Sequence, residues 1–207
     1  MLKSIVLGIC ALVLAASTAT AIAADAAAPA EPTIVQIEKF HASLLDVMKK
    51  GAELGIEGRY KKLEPQVEEA FDLAAMTKFA VGPAWSKMTE ADHKAVIVAF
   101  ARMTVASYAR NFDSFKGQKF VVDPKVEVRN VDRLVKSQVI PEGEKPVNLT
   151  YRMRESGGTW KVIDVTYEYV SQVATRRSDF ASTVTDGGAA ALVKKLDEIS
   201  DNLMKGK

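Results

Sequence analysis

One switch in hydrophobic period constrains this chain more than any other feature. Up to Gly117 the apolar residues recur every three to four positions, from there to about Tyr169 they alternate with polar ones, and from Ser171 the helical spacing returns. A period of 3.6 puts one stripe of a helix on the core, and a period of two puts one face of a strand there. Helices first, strands next and helices last predict an α+β domain: a sheet of roughly four strands in an antiparallel meander, with helices from both ends of the chain packed around it and enclosing an apolar cleft.

The helical parts read in detail. Ile34, Ile37, His41, Leu44 and Met48, flanked by Phe40, Leu45 and Val47, form an amphipathic helix ending near Gly51. His41 lies on its apolar face and reads as a packed core residue. Gly51, Gly55 and Gly58 break this helix, and Arg59 to Ala70 resumes it with Pro65 as the expected start. Asp72 is available to cap a further helix that Gly82-Pro83 stops. Thr89-Glu90-Ala91-Asp92 is a capping-box variant opening the longest helix, about residues 90–112, with Ala95, Val96, Ala99, Phe100, Met103 and Ala106 running toward Tyr108 and Phe112.

In the alternating part, strands are expected around Val126 and Val128, over Leu134 to Ile140, over Val147 to Met153, and over Thr159 to Tyr169, the last pair joined at Ser156-Gly157-Gly158. Ile163, Val165, Tyr167 and Tyr169 share one face of the final strand. Two helices follow, Ser171 to Thr185 and Gly188 to Met204.

Residues 1–23 read as a secretory signal peptide: Lys3, an apolar stretch from Ile5 to Ala16, and the small-residue site Ala21-Ile22-Ala23. The apolar stretch is shorter than the roughly 20 residues a membrane span needs. Residues 24–32 are a small-residue linker, which leaves 33–207 as a single domain. Cleavage after Ala23 would remove Cys10, the lone cysteine, and with it any disulfide or thiolate chemistry, so an exported, periplasmic domain without covalent staples is expected.

Composition then narrows the function. Lys plus Arg number 28 and Asp plus Glu 26, without a long run of either sign, which argues against a nucleic-acid partner. His41 and His93 are the only histidines and have no metal-ligand spacing; no Gly-x-Ser-x-Gly elbow or phosphate-binding glycine loop is present. No catalytic residue, metal or cofactor is therefore assigned. Asp164, in a strand with apolar neighbours, is the one candidate general base, against the plainer reading of a carboxylate paired with Arg152 or Lys161. Arg176-Arg177 suits a phosphate or pairing with Asp179. What remains is apolar surface: Phe71, Met76, Phe79, Trp85, Phe100, Met103 and Tyr108 on helices, placed to face Leu149, Tyr151, Val165 and Tyr167 of the sheet. They make either a filled core or a cleft for an elongated apolar ligand. An enzyme using Asp164 and a plain interaction module are the rival readings.

Two clusters discriminate. Phe71-Asp72 followed by Met76, Gly82 and Trp85, and then Trp160-Lys161-Val162-x-Asp164-Val165 followed by Val170-Ser171 and Arg177-x-x-Phe180, resemble the MlaC, or toluene-tolerance, family over about residues 34–204. The resemblance implies a periplasmic carrier, a monomer whose cargo is a bound phospholipid, passed between an inner-membrane transporter complex and an outer-membrane lipoprotein complex. Members often carry an aromatic residue where Arg176 stands, and Thr175-Arg176-Arg177 resembles the hopanoid-associated HpnM branch, which implies a hopanoid-type lipid as alternative cargo. Arg176 is then expected at the cleft mouth, facing a polar headgroup, and Arg177 in a structural ion pair or hydrogen bonds near Asp164.

Overall fold

A computed structural model describes residues 30–206. The signal peptide and most of the linker expected from the sequence lie outside the described residues.

Helix α1, Pro32–Lys49, begins at a proline, whose missing N–H costs nothing in a first turn. It buries Ile37, Phe40, His41, Leu44, Val47 and Met48. Helix α2, Gly51–Ala70, is broken at Gly55, where φ is +58°. Pro65 does not start this helix but lies within it. Pro65 is on the exposed side, as is Lys61, whose carbonyl loses its usual N–H donor to the proline, while Leu63 and Val67 on the buried side carry the helix through.

A Cβ at Gly51 would lie 1.7 Å from the Asp113 carbonyl oxygen, so the α1–α2 junction meets the end of α4, Glu90–Asn111, backbone to backbone. Buried Arg59 ties the same corner, its Nε donating to the Ala109 carbonyl at 2.8 Å and its Nη1 to the Gly51 carbonyl at 2.9 Å. The first of these bonds satisfies a last-turn carbonyl of α4 that would otherwise be orphaned.

Asp72 caps α3, Leu73–Val81, accepting from the Ala75 N–H at 2.9 Å. A 3-10 segment, Gly82–Lys87, follows. The Thr89–Asp92 capping box opens α4, with Asp92 N–H donating to Thr89 Oγ1 and Thr89 N–H to Asp92 Oδ2.

The sheet has six strands where about four are expected: β1 Lys119–Val122, β2 Glu127–Arg129, β3 Asp132–Ile140, β4 Val147–Ser156, β5 Thr159–Tyr167 and β6 Val170–Ser171. The order is β1-β3-β4-β5-β6, with β2 also pairing with β3, and every pairing is antiparallel. The extra strands are short edge pieces; two to four residues do not establish an alternation. Val135, Tyr151 and Val165 align across three strands and face the helices. The register shifts beyond Arg152, so Ile163 is an extra residue and both it and Val162 are buried. This bulge, and the left-handed turn at Glu168 and Tyr169, end the simple alternation expected from Ile163 to Tyr169.

The last helix, α5, Gln172–Met204, is capped by Ser171 and interrupted at Gly188, where φ is +64°, which gives the two expected pieces. It packs along α4 and α3. The sheet face carrying Val135, Tyr151 and Val165 packs against helices, and the core is the layer between them.

Candidate functional site

The residues that carry the family resemblance meet one another. Phe71 bridges Val162 of β5, and the Asp72 N–H donates to the Val162 carbonyl at 2.9 Å. Asp164 accepts from Ser171 Oγ at 2.6 Å and from the Val173 N–H at 3.1 Å, which holds the first turn of α5 on the sheet. A Cβ at Gly82 would lie 2.6 Å from Arg177 Nε, so that glycine leaves room for the guanidinium. The contacts of Phe71, Asp72 and Gly82 join early motif residues to elements distant in sequence, and those of Asp164 tie β5 to the helix that follows it. They work as staples of the fold.

These contacts correct two expectations. Asp164 pairs with neither Arg152 nor Lys161: Arg152 reaches Asp132 instead, and Lys161 Nζ donates to the Glu68 carbonyl. Both oxygens of the candidate base are taken up by the start of α5. Arg177 lies over Gly82 rather than on Asp164.

Most of the apolar candidates come together. Phe71, Met76, Phe100, Met103, Leu149, Tyr151 and Val165 are buried in one continuous cluster, with Trp85 and Tyr108 packed at its margin. Three candidates stand apart. Phe79 is 39% exposed, because α3 buries the stripe Leu73, Met76, Thr77, Ala80 and Val81, and residue 79 falls off it. Tyr167 is 51% exposed where β5 runs out into the turn. Arg176 is half-buried on α5, its Nη1 3.6 Å from the Asp179 carboxylate. Trp85 stacks on His93 at 3.9 Å, and His93 Nε2 donates to the Trp85 carbonyl.

At the centre is a chain of aromatic rings drawn from α1, α4, β1 and β4. Phe40 meets Phe71 edge-on at 5.1 Å and Tyr108 at 5.2 Å; Tyr108 stacks with Phe112, Phe112 neighbours Phe120, and Phe120 stacks on His41 at 4.4 Å. His41 Nε2 lies 2.9 Å from the Tyr151 hydroxyl, which closes the chain onto the sheet. Phe40, His41, Phe112 and Phe120 were not among the site residues expected from the sequence. Phe120 sits in a strand too short to show a period, and the others looked like ordinary core positions.

The site is electrically neutral. Burial lowers the His41 pKa to about 4, burial pushes the Tyr108 phenol up, and burial together with nearby Tyr108 does the same to Tyr151. Groups shifted this far from neutrality are poorly matched to proton transfer. Tyr108 itself is half-buried at the margin of the cluster. Among the described residues no three His, Cys, Asp or Glu side chains gather as metal ligands would, and no helix is long and apolar enough to cross a membrane.

An antiparallel sheet with one face sheltered by helices, and a neutral aromatic interior between them, defines an α+β domain built around its apolar layer. The chain belongs to the MlaC family: the family model described as MlaC protein matches residues 38–198. Its fold is similar to that of a phospholipid-binding protein from Ralstonia solanacearum solved in complex with a phospholipid, with a TM-score of 0.74 at 23% identity, over 84% of this chain and 99% of that one.

Proposed function

We propose that this protein is a periplasmic lipid carrier that shelters acyl chains between the inner face of the sheet and helices α1 and α4. The observation that carries the reading is the layer itself: most of the apolar residues expected from the sequence meet in one neutral, largely aromatic cluster under the helix-covered face of the sheet. The phospholipid bound by the Ralstonia solanacearum protein of the same fold supports it. Phe71, Met76, Phe100, Met103, Leu149, Tyr151 and Val165 wall the chains; Trp85, Phe79 and Tyr167, less buried, stand toward the opening; Arg176 meets the headgroup. Residues 1–23 direct export and 24–32 link to the single lipid-binding domain.

Exposing a chain costs about 0.8 kcal/mol per methylene, so a lipid with roughly 30 methylenes would cost on the order of 20 kcal/mol in water. The carrier must therefore cover nearly all of the chains. A bilayer covers them equally well, so loading has a small net free energy, and direction comes from the inner- and outer-membrane complexes or from lipid supply. The protein acts as a monomeric, non-catalytic carrier of phospholipid or hopanoid-type lipid, and it needs no cofactor for this.

Native mass spectrometry of the protein purified from periplasm, followed by organic extraction, tests the reading. The expected result is a stoichiometric lipid adduct whose mass matches an extracted membrane lipid. Protein that is lipid-free as isolated, and that takes up none from vesicles, would overturn it.

A further inference from the structure

The inner layer holds polar atoms that folding leaves short. His41 is 3% exposed and Ser137 is 4% exposed, and His41 Nδ1 and Ser137 Oγ are buried without a hydrogen-bond partner. Each such group costs about 1–3 kcal/mol, so native folds rarely keep one without a use. The two are close in the architecture. Ser137 is two residues along β3 from Val135, the register partner of Tyr151, and opposite Leu149; α1 lies across β3. Ser137, Tyr151 and His41 therefore share one part of the layer between the sheet and α1.

The chemistry of the pair narrows what belongs there. Neutral histidine has one N–H and one lone pair. If the Tyr151 hydroxyl donates to His41 Nε2, the Nδ1–H is left without an acceptor. If Nε2–H donates to Tyr151, the tyrosine hydroxyl proton is left free instead. Either tautomer leaves one donor of the pair unused within the inner layer. Phe120 covers one face of the imidazole, and the surrounding rings supply no cation, so an anionic acceptor would be buried uncompensated. A neutral oxygen fits.

We propose that the His41–Tyr151 pair, with Ser137 beside it, is an interior polar subsite that binds a neutral oxygen, a carbonyl or hydroxyl, borne on the otherwise apolar part of the cargo. This rests on the cleft being a lipid site, and it adds a selectivity: the protein favours lipids with an oxygen buried among their hydrocarbon over those with plain chains.

The test equilibrates delipidated full-length domain with mixed vesicles of dipalmitoyl phosphatidylglycerol and its analogues carrying one keto oxygen per chain, at mid-chain or at the chain end, and reads the bound ratio by native mass spectrometry. One keto isomer should be enriched about five- to tenfold over the plain lipid relative to the vesicles, the size expected of one satisfied buried hydrogen bond. In His41→Phe and Tyr151→Phe the enrichment should fall toward one. Tyr151→Phe removes a single oxygen and keeps the ring, so it reports even if the His41 variant does not fold. Equal retention of plain and keto lipids by the wild type, as a resident water at the pair would produce, overturns the subsite alone, as does enrichment unchanged in the variants. Retention of neither lipid overturns the carrier reading and the subsite with it.

Discussion

The two faces of the sheet treat polar groups in opposite ways. On the outer face, Asp132 is 2% exposed and accepts from Arg152 Nε at 2.6 Å, Arg154 Nε at 2.6 Å and Arg154 Nη2 at 3.0 Å. Burial works against its charge, but the bonds from Arg154 and Arg152 outweigh burial and hold its carboxyl below the usual carboxylate range. On the inner face, reached by stepping one residue along the same strands, His41 meets Tyr151 through one nitrogen and leaves the other bare. Polar groups placed for folding are saturated where the chain alone can saturate them. The inner face is left short where a ligand is proposed to complete it, at some cost in stability.

Four measurements break or sharpen that contrast. The largest effect belongs to a charge in the apolar layer: Leu149→Asp or Val165→Asp should lower unfolding stability by about 3–5 kcal/mol in chemical denaturation and abolish lipid co-purification. A variant that folds and still carries lipid would show that these side chains do not line the cleft.

The pH dependence separates the faces next. His41 has a folded pKa of about 4 against an ordinary 6.5, so the unfolded chain takes up its proton first as the solution is acidified. Stability is then lost as pH falls from 6.5 to about 4, by about 3 kcal/mol in all. Asp132, whose folded pKa is depressed below 3.8, contributes loss only below that value. Urea melts at about pH 7 and about pH 4 on wild type and His41→Phe check this; a wild type equally stable at both, or a variant with the wild-type loss, would remove His41 as the cause.

On the outer face, Asp132→Asn should lower stability by about 2 kcal/mol, less than a fully buried pair would, because Arg152 and Arg154 stay largely solvated. Lipid retention should be unchanged, and a loss of retention in a folded variant would link the two faces. The smallest stability effect is at Arg176: its i,i+3 pair with Asp179 is half-exposed, so Arg176→Ala should change stability by less than about 0.5 kcal/mol. The same variant should slow transfer of an anionic phospholipid between vesicles several-fold, and an unchanged rate would leave Arg176 without a headgroup role.

The elements whose reasons are local were legible in the chain itself. Thr89 and Asp92 cap α4 because each bonds the other's backbone three residues away. Asp72 caps α3, Gly157-Gly158 turns the hairpin, and Gly188 breaks the last helix with a left-handed φ. The long alternations of β3 and β4 belong to this group, and so does the α+β class.

What needed distant partners was decided by tertiary structure. Pro65 stays inside α2 because Leu63 and Val67 are buried on the other side of it. Asp164 turns to Ser171 and Val173 and leaves Arg152 to Asp132, a choice of partners that no spacing reveals. Residues 40, 41, 108, 112, 120 and 151 become one aromatic site only when α1 and α4 are laid across the sheet. A cap or a turn is an interaction among neighbours in the chain, so composition and order suffice for it; the inner layer is set by register, bulge and helix docking, where His41 answers to Tyr151, 110 positions away.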